Sequence, residues 1–372
     1  MTTVPAASTS KRPDGWRLAA LLGLVAFGDE AFSISLPLVL LTLGASASAP
    51  VLIHGALYTS LVIAGFMLGG VVDRYETYWV VRRCLLASCL IVSLGGFLIY
   101  ATGWTVSVAV GTVLLLGVPG AIEALRTASA TVGPLIGGFV ASAGLKGVFA
   151  GYALIFGIGS LAPRGDLPPG SDHHEPPEKG NNTQGSAVTE FRTNRSLVRG
   201  VALSSSLNVG LAVMVPISIA RLKLEGGLSA AQIGVCLAAV GVCSIVAAQV
   251  AGGVGGKSLA FPALLTASLV SLAGWFTSVF MISALMSFAS ATAIFFNVRW
   301  RTYRQLVTTP QRLGAVSSWC RSIAYSWIAL VSFIGARFVS SGISASTVQT
   351  AAGVASLVCV IIVLAGFRSE RA

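Results

Sequence analysis

Apolar stretches alternate with short polar gaps along the whole of this chain, at residues 18–44, 50–72, 84–101, 104–122, 127–144, 147–162, 200–220, 229–254, 258–280, 281–298, 314–340 and 345–367. A helix rises about 1.5 Å per residue, so roughly 20 apolar residues cross a hydrocarbon layer about 30 Å thick. Most of the runs reach that length. The shortest, 147–162, needs snorkelling flanks or a locally thinned bilayer. In lipid every backbone N–H and C=O must be satisfied within the protein, which a helix does by itself. The pattern therefore predicts an all-α polytopic membrane protein of twelve transmembrane helices.

The charges orient it. Nearly all of the 24 Lys and Arg residues fall at the N-terminus, in alternate gaps and at the C-terminus, Arg82, Arg83, Arg164, Arg299 and Arg368 among them. The intervening gaps hold only Lys146, Arg221 and Lys223, while Arg321 and Arg337 fall within a run. Basic residues resist translocation, so the basic side faces the cytoplasm of a cell-membrane protein whose N- and C-termini are both inside. Charged residues make up 10% of the chain and hydrophobic ones 55%, which excludes an ordinary soluble enzyme. A net charge of +11 would suit nucleic acid, but these charges sit in short membrane-flanking gaps and gather on no surface that could dock a duplex. Trp16, Trp79, Trp104, Trp300 and Trp319 lie near run ends, where an interfacial aromatic belt is expected. The polar segment Thr2–Arg17 followed by a run of spanning length argues against a cleaved leader.

Six cysteines without a CxxC spacing read as small packing residues, not as ligands or a disulfide framework. His173-His174 lies in a solvated linker, and no metal site or cofactor is expected. Asn181-Asn182-Thr183 and Asn194-Arg195-Ser196 fit the glycosylation pattern but fall on the cytoplasmic side.

The stretch Pro163–Val198 is too polar to span or to form a core and divides six runs from six. Residues 1–162 and 199–372 thus read as two six-helix bundles joined by a cytoplasmic linker, 163–198. They look like copies. Ile136-Gly137-Gly138-Phe139-Val140 matches Ile334-Gly335-Ala336-Arg337-Phe338-Val339, and Gly69-Gly70-Val71 matches Gly252-Gly253-Val254. The first pair lies farther apart in sequence than the second, so the first half is shorter between its second and fifth spans. The shortening falls at the connection of spans 4 and 5. Fusing those two spans would put Arg164 and every later basic gap on the outer face, so a tight hairpin of short helices is the better reading. Two halves in the same orientation are parallel repeats about an axis normal to the membrane.

Parallel halves, a central linker and the Gly69-x-x-x-Asp73-Arg74 loop after span 2 resemble the major facilitator superfamily. Tyr75-Glu76 and the late Arg82-Arg83 depart from its loop signature. Gly133-Pro134-x-x-Gly137-Gly138 in span 5 resembles the glycine motif of its antiporter branches, although Ser129 replaces an upstream glycine. Gly28-Asp29, together with Asn297-Val298, Arg304-Gln305, Pro310 and Leu313-Gly314, is similar to the siderophore- and drug-exporter branch that includes the enterobactin exporter. The resemblance implies a secondary transporter that exports a small amphipathic compound by alternating access, in exchange for protons. It also implies that Gly69, Asp73 and Arg74 latch the two halves on the cytoplasmic side.

Ionisable residues within spans are the functional candidates by default, because lipid makes them costly. Asp29 and Glu30 lie near the middle of span 1, about 100° apart on a helix, so only one faces a cavity. Asp29 is the expected proton carrier and Glu30 the rival. The Gly133-Pro134 step should bend span 5. Asn208, Gln249 and Arg321 are candidate polar groups of a central cavity, though each could serve a neighbouring helix or an interface instead. His54 near the outer end of span 2 could titrate near neutral pH. With no Walker loop and no nucleotide fingerprint, ATP-driven transport by this chain alone is not expected. The expected partners are a small-molecule substrate, protons and the lipid bilayer, with the protein a monomer. A facilitator or importer on the same fold, and a transport-inactive sensor or assembly partner, stay open as alternatives.

Overall fold

The computed structural model describes residues 31–72, 77–103, 105–116, 141–142, 144–161, 189–253, 258–308 and 313–366. Among the described residues all regular secondary structure is helical. The longer helices are α1 (Ala31–Thr42), α2 (Ser48–Val72), α3 (Thr77–Thr102), α4 (Thr105–Leu116), α5 (Gly144–Leu161) and α6 (Arg195–Leu224). They continue with α7 (Ala230–Gly253), α8 (Ala260–Ala273), α9 (Val279–Val307), α10 (Leu313–Ser340) and α11 (Ala345–Gly366). Eight of these carry a segment long and apolar enough to cross a bilayer. Most of span 5, its Gly133, Pro134, Gly137 and Gly138 motif and the span 4–5 connection lie outside the described residues.

Several boundaries differ from the apolar runs: α3 begins at Thr77 and α6 extends from Arg195 to Leu224, so Arg82, Arg83, Arg199, Arg221 and Lys223 lie on helices. The run 281–298 continues as helix α9 to Val307, so Arg299, Arg301 and Arg304 sit on a helix and not in a loop. Nothing between Val298 and Val307 breaks a helix: Arg and Gln are good helix formers, and the first proline is Pro310. Conversely, the run 258–280 merges three things. Helix α8 ends at Ala273, a turn follows, and α9 starts at Val279. Gly274, Trp275 and Phe276 form an apolar turn in which Trp275 is 74% exposed.

That turn is held by a buried arginine. Arg221, read from the sequence as a loop charge, is only 1% exposed. Its Nη1 donates to the Ala273 carbonyl at 3.1 Å and to Gln349 Oε1 at 3.2 Å, its Nη2 donates to the Phe276 carbonyl, and its Nε donates to Glu225 Oε2 at 3.1 Å. Gln349 Nε2 in turn donates to Ser218 Oγ at 3.3 Å. One side chain thereby satisfies the orphan carbonyls of a helix end that water would otherwise serve, and ties α6, the α8–α9 turn and α11 together.

Helix pairing repeats along the chain. In the first part α2 packs on α4, and α3 packs on α4 and α5; in the second α7 packs on α9, and α8 packs on α9 and α11. Small residues permit the close approaches. At Gly353 of α11 an added Cβ would lie 2.5 Å from the Ser271 Cα of α8. The longest seam joins α2 to α10, and α2 also meets α6. On that seam Ser318 Oγ donates to the Gly65 carbonyl at 2.6 Å, Tyr58 meets Tyr325 edge to face at 5.0 Å, and Phe66 meets Trp319 at 5.1 Å. Trp300 likewise departs from the interfacial expectation. It is buried, with its ring lying where a side chain on Gly200 would project.

Asn194 caps α6. Its Oδ1 accepts from the Ser196 and Leu197 N–H groups, and its Nδ2 donates to the Val307 carbonyl at 3.2 Å. Both ends of the amide are engaged in fixing α6 to the end of α9, which accounts for an Asn-x-Ser pattern without glycosylation.

Candidate functional site

Helices from both parts of the chain enclose a cavity of about 350 Å³, lined from α1, α2, α4, α6, α7, α9 and α10. Helix α6 shapes one wall through Pro216. Proline has no N–H to donate to the carbonyl four residues back and its ring crowds that carbonyl. The freed Ala212 carbonyl instead accepts the Ser332 hydroxyl of α10 at 3.1 Å, so the irregularity is met inside the protein. Asn208, two turns earlier, lines the same wall and donates its Nδ2 to the Ala324 carbonyl at 2.8 Å. The amide therefore clasps α6 to α10 while the side chain faces the cavity.

Most of the lining is apolar, with Phe32, Ile53, Leu57, Met214 and Ile219 prominent. Three rings cross from α2 to α10 within it: His54 lies 4.8 Å from Tyr58, and Tyr58 5.0 Å from Tyr325, in a T-shaped pair. Along α9, Ser290, Asn297 and Arg301 follow one another at helical spacing on the cavity face. Among the described lining residues Arg301 carries the formal charge, and there is no carboxylate.

The structure separates the sequence candidates. Asn208 is at the cavity. Gln249 is exposed on α7 and Arg321 half-buried on α10, and neither is among the lining residues. Gln249 falls in the last two turns of α7, on a side that faces away from the packed helices. Gly69 lies in the last turns of α2. Asp29, Glu30, Asp73 and Arg74 lie outside the described residues. All six cysteines are free thiols, and no group of three or more potential metal ligands occurs among the described residues. Sequence reasoning passed over Tyr58, Tyr325 and the cavity role of Arg301. Ending the apolar run at residue 298 hid the last; a helix continued through the basic segment puts Asn297 and Arg301 one turn apart.

No family profile matches the chain, and no curated protein matches it in sequence. Solved structures do match in fold. A bacterial homologue of the human lysosomal transporter Spinster, in an inward-facing and unoccupied conformation, has 14% identity and a TM-score of 0.65, with 96% of each chain covered. The nucleoside transporter NupG has 13% identity and a TM-score of 0.65, covering 94% of this chain and 99% of its own. A bacterial homologue of the iron transporter ferroportin, in an inward-facing state, has 16% identity and a TM-score of 0.62, covering 94% and 98%. The chain is a multi-pass membrane protein with the major facilitator type of fold.

Proposed function

We propose that this protein is a secondary transporter that moves a small amphipathic organic compound outward across the cell membrane by alternating access, exchanging it for protons. The observation that carries the reading is the cavity of about 350 Å³ enclosed by helices from both parts of a chain with this fold. Bundles 1–162 and 199–372, six helices each in the same orientation, rock about that cavity; the linker 163–198 and both termini face the cytoplasm. The protein acts as a monomer without a cofactor. Asp29 carries the proton: it is a carboxylate near the middle of span 1, where an ionisable residue is costly and so a functional candidate, and Phe32 and Ser33, shortly after it in sequence, line the cavity. Asp73 latches the cytoplasmic side with Gly69 and Arg74, as the resemblance to the major facilitator superfamily implies, and the span 5 glycines let that helix bend and pack closely.

The test is flux in liposomes of purified protein with an imposed pH gradient. Proton-driven movement of an amphipathic compound against its own gradient is the expected result. Equilibration without coupling would make the protein a facilitator, and no flux of any compound class would leave a sensor or assembly partner.

A further inference from the structure

The described cavity wall holds a guanidinium, Arg301, and no acid, and the side chains behind it deepen the imbalance. Arg304, on the next turn of α9, lies 5.8 Å from the Trp300 ring and against Cys320 of α10. Its Nε is buried without a hydrogen-bond partner. The charges of Arg301 and Arg321 both bear on it, and both are positive. Two acids occur among the described residues, Glu225 paired with Arg221 and Glu190 before α6; Asp29, which the transport reading sets beside the cavity, adds no negative charge while it carries its proton. Like charges gathered beside a low-dielectric space raise its potential and favour an incoming anion.

Across the cavity stands the opposite chemistry. His54, Tyr58 and Tyr325 present ring faces and edges at 4.8 and 5.0 Å from one another, a surface suited to a flat apolar body. Asn297, one turn before Arg301 and also on the lining, supplies an amide donor beside the guanidinium fork.

We infer that the cavity takes an amphipathic organic anion, its carboxylate, sulfonate or phosphate held by Arg301 and Asn297 and its flat apolar body set against the His54, Tyr58 and Tyr325 rings. The inference rests on the transport reading in treating the cavity as the substrate site. Arg304 and Arg321 act from behind as positioning charges. The headgroup of an anionic lipid offers the same chemistry from another source, so the test separates the two.

Full-length protein in nanodiscs of pure phosphatidylcholine is titrated with three probes of equal bulk: naphthaleneacetate, its primary amide and naphthylmethylammonium. The anion is expected to bind about tenfold more tightly than the amide, and the ammonium more weakly than either. Arg301→Gln should lower the anion's affinity about tenfold and the amide's much less, bringing the two close together, and Arg301→Lys should restore part of the difference. Equal binding of anion and amide, or an equal loss for both in an Arg301→Gln protein that still elutes as a single species, overturns the inference. Loss of anion binding in phosphatidylglycerol discs assigns the cluster to a lipid headgroup and overturns it too. If none of the probes binds while the liposome assay shows flux of some other compound, the inference alone fails. If that assay shows no flux of any compound, the transport reading fails with it.

Discussion

Arg221 keeps a formal charge at 1% exposure because its donors are matched one by one to acceptors that the fold would otherwise leave unserved. Arg221→Met removes them and leaves the Ala273 and Phe276 carbonyls and the Gln349 amide oxygen without these donors. The expected cost is about 3 kcal/mol, seen as a lower melting temperature in detergent; Arg221→Lys, which lacks the planar fork, should recover only part of it. The span 1 acids call for a functional readout instead. Asp29→Asn should abolish proton-driven efflux and spare substrate binding, whereas Glu30→Gln should chiefly lower expression. Normal pumping by Asp29→Asn with failure of Glu30→Gln would reverse the two roles.

Helix packing sets different tolerances for small residues that look alike in sequence. Gly353→Ala on α11 drives a methyl group against the backbone of Ser271, which cannot turn aside, and should cost about 2 kcal/mol. Gly65→Ala on α2 meets the Ser322 hydroxyl, which has no hydrogen-bond partner and can rotate away, so its cost should stay below about 1 kcal/mol. Thermal unfolding of the two purified variants side by side checks the contrast. The longer helices were legible in the sequence, because lipid demands long apolar stretches and each of α1 to α11 overlaps one of the runs. Their ends were not. Arg299, Arg301 and Arg304 read as loop because charge was equated with leaving the membrane, yet a helix passes into water without breaking when no proline or glycine stops it. The end of α8 was hidden for the opposite reason: Trp275 and Phe276 after the Gly274 cap are apolar, and the Ala273 and Phe276 carbonyls are taken by Arg221, a contact between residues far apart in sequence. Of the candidate site, Asn208 was legible as a polar residue in a span. Tyr58 and Tyr325 were not, since aromatic residues in an apolar run carry no mark of which helix face meets a cavity.

For the whole molecule, the alternation of basic gaps makes one further expectation concrete. A cysteine introduced at Gly165 in the linker should react with impermeant reagents only once the membrane is opened; labelling in intact cells would put the linker outside and remove the twelve-span arrangement. The distribution of polar contacts also bears on how such a body could move. Arg221, Gln349, Asn208 and Ser332 cross-link α6, α10, α11 and the α8–α9 turn, all within the second part of the chain. The α2–α10 seam is made differently, from ring edges, glycines and the Ser318 hydroxyl on the Gly65 carbonyl. That carbonyl belongs to a continuing helix, and a serine released from it can turn back onto a carbonyl of its own helix. If the two parts rock as proposed, the cross-linked second part would move as one piece and the α2–α10 seam is the plain bearing along which it would turn.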